Sequence, residues 1–474
     1  MAKITIHPVT RIEGHAKIDL LLDDHGKVAD AHVHVTQVRG FEKFCEGRPY
    51  YEMPSITARI CGICPVSHLL ASAKACDAIM AVSPPEAAVK LRRLAHCAQF
   101  VQSHALSFFH LSAPDLLLGF DSDPARRNIF GLIEEHPEMA RMGIALRKFG
   151  QQTIEGLAQE RIHPSWIVPG GVNAPLAAPV RDKILAALPE GFTIAEKTLA
   201  HFKSILDRFP DEIAHFGSAP TLYASLVNEA GDLEWYDGRL LFKHPDGRIA
   251  ATDVRPQDYE LFIGEAALRD SYLKAPYYKP LGYPEGVYRV GPLARLNVAA
   301  SAGTPRADRE LDEFRRRFGP VVHGAFHYHY ARLIELLHAL ETMEALLSDA
   351  AILDTRVRAR ADVNVLEGVG MIEAPRGTLI HHYKVDEGGA IRWANLIVAT
   401  GHNNLAMNRA VTEVARQFVN GTDIREGMLN RVAAVVRAFD PCLSCSTHAD
   451  GTLDLAIRVL WNSASNSHDT PRIA

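Results

Sequence analysis

The chain has 474 residues, 47% hydrophobic and 23% charged, with a net charge of -5. That balance suits an ordinary soluble globular protein and gives no electrostatic reason to expect nucleic acid or an anionic membrane as partner. No apolar run reaches the length of a membrane span. The stretch Met1–Pro8 carries neither a signal-peptide core nor a twin-arginine signal, so a cytoplasmic setting is expected. There, paired cysteines point to metal or redox chemistry more often than to disulfides.

In chain order, Ala16–Leu20 and Ala31–Val35 alternate in polarity around the turn signal Asp23-Asp-His-Gly, which predicts a hairpin. Helices then dominate. Pro65 suits the first turn of a helix running through Leu69, Ala73 and Cys76. A second helix is expected from Pro85 to about Ser112, with Leu91, Leu94, Ala98, Val101, Ala105 and Phe108 on one face. Further helical stretches include roughly 180–208, 322–352, 403–419 and 424–439. Residues 215–300 differ: Tyr236-Asp-Gly and Pro245-Asp-Gly separate short apolar runs and predict a small β-rich insertion. Another strand-like stretch covers about 377–400. There is no internal repeat or low-complexity linker. The fold class expected is α+β, mainly α, as one body spanning 1–448 with a C-terminal extension, 449–474.

Four of the seven cysteines form two Cys-x-x-Cys pairs near opposite ends of the chain. One lies in Arg59-Ile-Cys61-Gly-Ile-Cys64-Pro-Val-Ser-His68, the other in Asp440-Pro-Cys442-Leu-Ser-Cys445-Ser-Thr-His448. Two intervening residues let both sulfurs of a pair face one metal, and four thiolates suit zinc, nickel, copper(I) or iron. Cys64 also precedes a helix, whose N-terminus favours thiolate. Spacing alone leaves a structural zinc site and an iron–sulfur cluster open. A c-type haem is disfavoured, because Pro65 and Ser446 follow the pairs instead of histidine.

The flanks of these pairs carry a resemblance. Arg11-Ile-Glu13-Gly-His15, Arg39-Gly-Phe-Glu42, both cysteine motifs and Glu373-Ala-Pro375-Arg376-Gly occur in the order of nickel–iron hydrogenase large subunits. The sequence resembles that family over essentially its whole length. His381-His-Tyr-Lys-Val-Asp-Glu-Gly-Gly and Ala399-Thr-Gly-His-Asn-Asn-Leu-Ala-Met-Asn-Arg are similar to its cytosolic NAD-reducing type. Quinone-side subunits of respiratory complex I share the fold but generally lack the nickel cysteines, all four of which are present here.

The resemblance implies reversible, heterolytic cleavage of dihydrogen at a nickel–iron centre whose iron carries CO and cyanide. Cys61 and Cys442 would be terminal nickel ligands; Cys64 and Cys445 would bridge nickel to iron. Cys442 and Arg376 are the rival bases. Glu13 matches the proton gate. His68, one helical turn beyond Cys64, would tune a bridging sulfur. Asp115 and Asp440 would join Arg376 in a polar canopy over the metals, and Pro375 would line the pocket of the diatomic ligands. Glu42, the Leu379 carbonyl and His448 match a second metal site, usually magnesium.

Only three cysteines remain after the nickel ligands, too few for a Cys₄ iron–sulfur cluster, and no Gly-x-Gly-x-x-Gly fingerprint is present. The electrons therefore need other subunits. The resemblance implies a small subunit with iron–sulfur clusters and diaphorase subunits carrying FMN and NAD. It also implies nickel-insertion proteins and an endopeptidase that cuts after His448 and removes Ala449–Ala474.

Overall fold

A computed structural model describes residues 2–447 apart from 39, 269, 270 and 422. The expected hairpin is there, as part of a three-stranded antiparallel sheet of Lys3–Ile6, Ala16–Leu22 and Val28–Val35. Asp23 turns it, its carboxylate accepting from the backbone N–H groups of His25 and Lys27. The outer edge of Val28–Val35 is covered by the helix Asn404–Phe418: Val33 N–H donates to Asn408 Oδ1 at 2.9 Å, and Thr412 Oγ1 donates to the Ala31 carbonyl.

The helices Glu86–Ala105, Pro137–Ala158, Ala178–Ile205 and Tyr328–Ser348 form a central bundle. Tyr328–Ser348 is buried without interruption from Tyr328 to Leu340, as the innermost helix of a bundle must be. Pro137–Ala158 approaches closely at Gly150, where a Cβ would meet the Ala98 carbonyl at 2.7 Å. The helix Pro305–Phe318 was not expected: it is highly charged and buries only Ala307, Leu311 and Phe314, a stripe too narrow to stand out. The helix expected to run to Ser112 does so, but residues Leu106–Ser112 widen into π-helical turns.

Strands fill the stretch around 215–300, as its turn signals imply. Leu222–Val227, Arg239–Lys243, Ile249–Val254 and Tyr288–Arg289 form one sheet; Ile263–Leu268 and Ser271–Tyr278 pair separately. Their small core, with Leu226, Phe242 and Tyr288, shares Met371, Ile380 and Ile397 with a third sheet. That sheet contains Gly377–Val385 and Ile391–Ile397, as the sequence implies, plus Glu367–Ala374, which it did not. Gly368 and Gly370 weaken the strand signal there. Both lie against the helix Pro65–Met80, where a Cβ on Gly370 would sit 1.9 Å from the Ala71 carbonyl. The contact lets the third sheet lie flush on the helix that follows the first cysteine pair.

Candidate metal centre

The first pair ends at the N-cap of the helix Pro65–Met80: Cys64 is the cap and Pro65 the first helical residue. The loop between its cysteines is held by the helix Glu86–Ala105. Gln99 and Gln102 side chains donate to the Ile63 carbonyl, and Gln99 accepts from Val66 N–H. The second pair follows the helix Glu426–Phe439, which stops where Asp440 takes a left-handed conformation (φ +53°). Cys442 N–H then donates to Thr400 Oγ1 at 2.8 Å.

These two segments meet. Cys61 and Cys442 sulfurs are 3.3 Å apart, Cys64 and Cys445 are 3.5 Å apart, and Cys442 and Cys445 are 2.7 Å apart. No disulfide joins them. All four sulfurs lie within 4.8 Å of one another and are buried, the single such ligand cluster among the described residues. Burial, reinforced by the neighbouring sulfurs, pushes the Cys442 thiol well above its ordinary pKa, and burial does the same for Cys445. Cys61 shifts the other way, held well below its ordinary value by hydrogen bonds from the other three sulfurs, so keeping all four as thiolates takes a bound cation, and the all-sulfur donor set fits a soft metal such as nickel.

Beside the sulfurs is a cavity of about 10 Å³ open to water centres, about what one water needs. Its lining includes Cys64, His68, Pro375, Arg376, Leu379 and Thr400. A much larger cavity of about 900 Å³, between Val28–Val35 and Asn404–Phe418, holds none of the cysteines.

Arg376 is 3% exposed. It donates from Nε to the Asp440 carbonyl at 2.7 Å, from Nη2 to Asp440 Oδ1 at 3.1 Å and from Nη1 to Ser103 Oγ at 3.4 Å. Burial works against its charge, but Asp440 and the sulfurs of Cys442, Cys64 and Cys61 outweigh it and hold the guanidinium well above its ordinary range.

The resemblance put Asp115 in the same canopy. The structure sets it instead against Arg11 at 2.6 Å, Arg437 at 3.0 Å and Arg127 at 3.5 Å, with Asn430 also donating to it. A π-helical turn inserts an extra residue, which rotates whatever follows it. Asp115 ties the N-terminal segment to the helix before the second cysteine pair. The polar side chain at Arg376 besides Asp440 is Ser103. It shares one helix face with Gln99 and Gln102 at spacing i, i+3, i+4, but Lys90, Arg92, Arg93 and His96 on the same helix leave it without a distinct signal.

Glu13 lies against the second pair. Its backbone bridges to Cys442, its carbonyl accepts from Leu443 N–H at 3.1 Å, and its Oε2 accepts from Ser444 N–H at 3.0 Å. Gly14 makes the approach possible: its φ is +89°, and a Cβ would sit 2.7 Å from Leu443 Cβ. His68 is buried, with Nδ1 3.1 Å from His381 Nε2; His381 Nδ1 in turn is 2.6 Å from the Tyr383 hydroxyl. His381 and Tyr383 were not singled out in roles by the sequence.

Glu42 accepts from Leu396 N–H at 2.9 Å and faces Lys274 Nζ at 3.7 Å. Thr447 bridges to Leu273, next to that lysine, so the described chain ends close to Glu42. Leu379 lies in the ladder opposite Ile372. His448 and Ala449–Ala474 lie outside the described residues.

Comparison with known proteins accords with this geometry. A family model described as nickel-dependent hydrogenase matches residues 39–119 and 193–448, and one described as HoxL-like matches residues 3–38. The chain is 42% identical to the NAD-reducing hydrogenase HoxS subunit beta of Cupriavidus necator, over 96% of this chain and 97% of that one. It is 44% identical to a chain of the F420-non-reducing hydrogenase vhu of Methanococcus voltae, over 88% of this chain and 98% of that one. Among solved structures, an NAD+-reducing NiFe-hydrogenase in its H2-reduced state superposes with a TM-score of 0.92 at 47% identity, covering 94% of this chain and 100% of that one. A Ni-Fe-Se hydrogenase from D. vulgaris Hildenborough shares the fold at a TM-score of 0.76 and 24% identity. With four buried sulfurs gathered from opposite ends of its sequence, the chain belongs to the nickel-dependent hydrogenases, as a large subunit of the nickel–iron type.

Proposed function

We propose that this chain is the dihydrogen-activating subunit of a cytoplasmic NAD+-reducing hydrogenase. The observation that carries the reading is the meeting of two cysteine pairs, 381 residues apart, beside a buried arginine. Cys61 and Cys442, together with Cys64 and Cys445, would hold a nickel–iron centre, the first two as ligands of nickel alone and the other two as ligands shared with an iron that would carry CO and cyanide. When bound, the metals supply the Lewis acidity that polarises dihydrogen and lets it split heterolytically.

The residues of the chain do the rest. The tight cavity under Pro375 and Arg376 admits a diatomic molecule and limits water. The Cys442 sulfur takes the proton, while Arg376, held charged by Asp440 and the sulfurs, takes part by orienting dihydrogen over the centre. Glu13, hydrogen-bonded between the cysteines of the second pair, relays it outward. Arg376 is held by Asp440, and His68 orients against His381 near the bridging sulfur Cys64. Asp115 acts at one remove, fixing Arg11 of the segment that carries Glu13. Glu42, the Leu379 carbonyl and His448 would hold magnesium. Electrons leave through a small subunit with iron–sulfur clusters and reach NAD+ on diaphorase subunits with FMN. Nickel-insertion proteins load the site, and an endopeptidase then cuts after His448 and releases Ala449–Ala474.

The test is metal analysis and infrared spectroscopy of the purified assembly. One nickel per chain with CO and cyanide bands supports the reading. Zinc alone, or nickel without those bands, overturns it. Intact mass of active enzyme tests the tail: a chain ending beyond His448 refutes the cleavage.

A further inference from the structure

Arg295 sits on the short helix Pro292–Val298, completely buried, outside the cavity lining and in contact with none of the four sulfurs. Its guanidinium has five N–H groups, and each has an acceptor. Nε donates to Glu335 Oε1 at 2.5 Å, and Nη2 donates to Glu335 Oε2 at 2.7 Å. Nη1 donates to Glu373 Oε2 at 2.9 Å. The two remaining N–H groups go to consecutive backbone carbonyls, Ala374 from Nη1 and Pro375 from Nη2, both at 2.9 Å.

Those carbonyls belong to the turn that presents Pro375 and Arg376 to the metal centre. Its flanks close as an antiparallel ladder, Glu373 opposite Thr378 and Ala374 opposite Gly377. Such a turn fixes its ends but leaves the outward carbonyls to find partners. Arg295 supplies both. Its own position is over-determined: Glu335 is further engaged by His104 at 2.7 Å, Glu373 accepts from Thr378 Oγ1 at 2.7 Å, and Phe100 lies 5.2 Å from the guanidinium. Gly291, at the N-cap of the Arg295 helix, lies so close that a Cβ would meet the Arg376 carbonyl at 2.7 Å.

We infer that Arg295, clamped by Glu335 and Glu373, is the positioning residue for Arg376. Asp440 and Ser103 aim the Arg376 side chain, while Arg295 fixes the main chain from which it extends. This inference rests on the reading in which Arg376 takes part in the chemistry. A lysine keeps the charge but has three donors on a flexible stem, so it cannot serve two carboxylates and two carbonyls together. A misplacement of about 1 Å at a reacting group costs on the order of a hundredfold in rate.

The test is a double-mutant cycle in the assembled enzyme with Arg295→Lys and Arg376→Lys. Nickel and iron contents and a crystal structure of each variant accompany the dihydrogen kinetics. Arg295→Lys is expected to keep both metals and the KM for dihydrogen, to displace the Arg376 guanidinium from Asp440, and to lose about ten- to a hundredfold in kcat. Added to Arg376→Lys, it should cost no further activity. Losses that multiply across the two sites, or an Arg376 unmoved in the crystal, overturn the inference. Should Arg295→Lys fail to assemble, Thr378→Val loosens Glu373 alone and must show the same non-additivity with Arg376→Lys. Wild-type enzyme without nickel would refute the proposed function instead, and the displacement of Arg376 would still be readable.

Discussion

Replacing Glu13 by glutamine separates its chemical part from its structural one. Glu13 Oε2 accepts from Ser444 N–H at 3.0 Å, and an amide oxygen can accept the same bond. The backbone pairing with Leu443 is untouched. What is lost is the charge assistance of one hydrogen bond at a half-buried site, about 1 kcal/mol. In a chain of this length that moves Tm by only about 1 °C. A glutamine cannot take up and release a proton, and the loss of a positioned acid–base group costs about 10²–10⁴ in rate. Glu13→Gln should therefore keep nickel, iron and Tm while dihydrogen oxidation with a dye acceptor falls a hundredfold or more. Exchange of dihydrogen with deuterated solvent should fall with it, because both require the proton to leave. Glu13→Asp should recover part of both rates. Turnover and exchange at wild-type levels in fully metallated Glu13→Gln enzyme would refute the relay.

Other outcomes follow from the same geometry. Cys442→Ser should abolish nickel retention, read by elemental analysis, because a buried hydroxyl is a poor ligand for a soft metal. Gly370→Ala must push the third sheet off the helix Pro65–Met80, since its Cβ would sit 1.9 Å from the Ala71 carbonyl. Loss of folded protein, or of nickel with Tm lowered by several degrees, is expected by calorimetry. Asp19 carries a pH signature. Partial burial opposes its ionisation, but hydrogen bonds from Thr5, Lys17 and Lys3 outweigh this and lower its pKa from 3.8 to about 2. A depressed carboxylate contributes its stabilisation above the unfolded pKa and loses it as pH falls through the folded one. The stability gap between wild type and Asp19→Asn should thus close between about pH 4 and pH 2 in urea melts.

Much of the local structure was legible. Pro65 marks a helix start, Asp23 a hairpin turn, and the Asp-Gly turns of 215–300 a β-rich segment, because each acts through its own backbone preferences. The helix Pro305–Phe318 and the strand Glu367–Ala374 were not, because a three-residue apolar stripe and two contact glycines only make sense against their neighbours. The π-helical turns of Leu106–Ser112 escaped for the same reason: apolar periodicity reports a helical face, not its hydrogen-bond register.

By itself the sequence determined the chemistry on offer: four paired thiols, a soft donor set, one helix cap beneath Cys64, and the motifs that carry the resemblance. Only the tertiary structure decided who meets whom. It brought sulfurs 381 residues apart to within 3.3 Å, put Ser103 rather than Asp115 beside Arg376, and set Arg295 under the turn that bears it. Residue types and short spacings act locally, through ligand preference and backbone geometry. Partnerships across hundreds of residues come from close packing of whole helices and sheets, which no local pattern encodes.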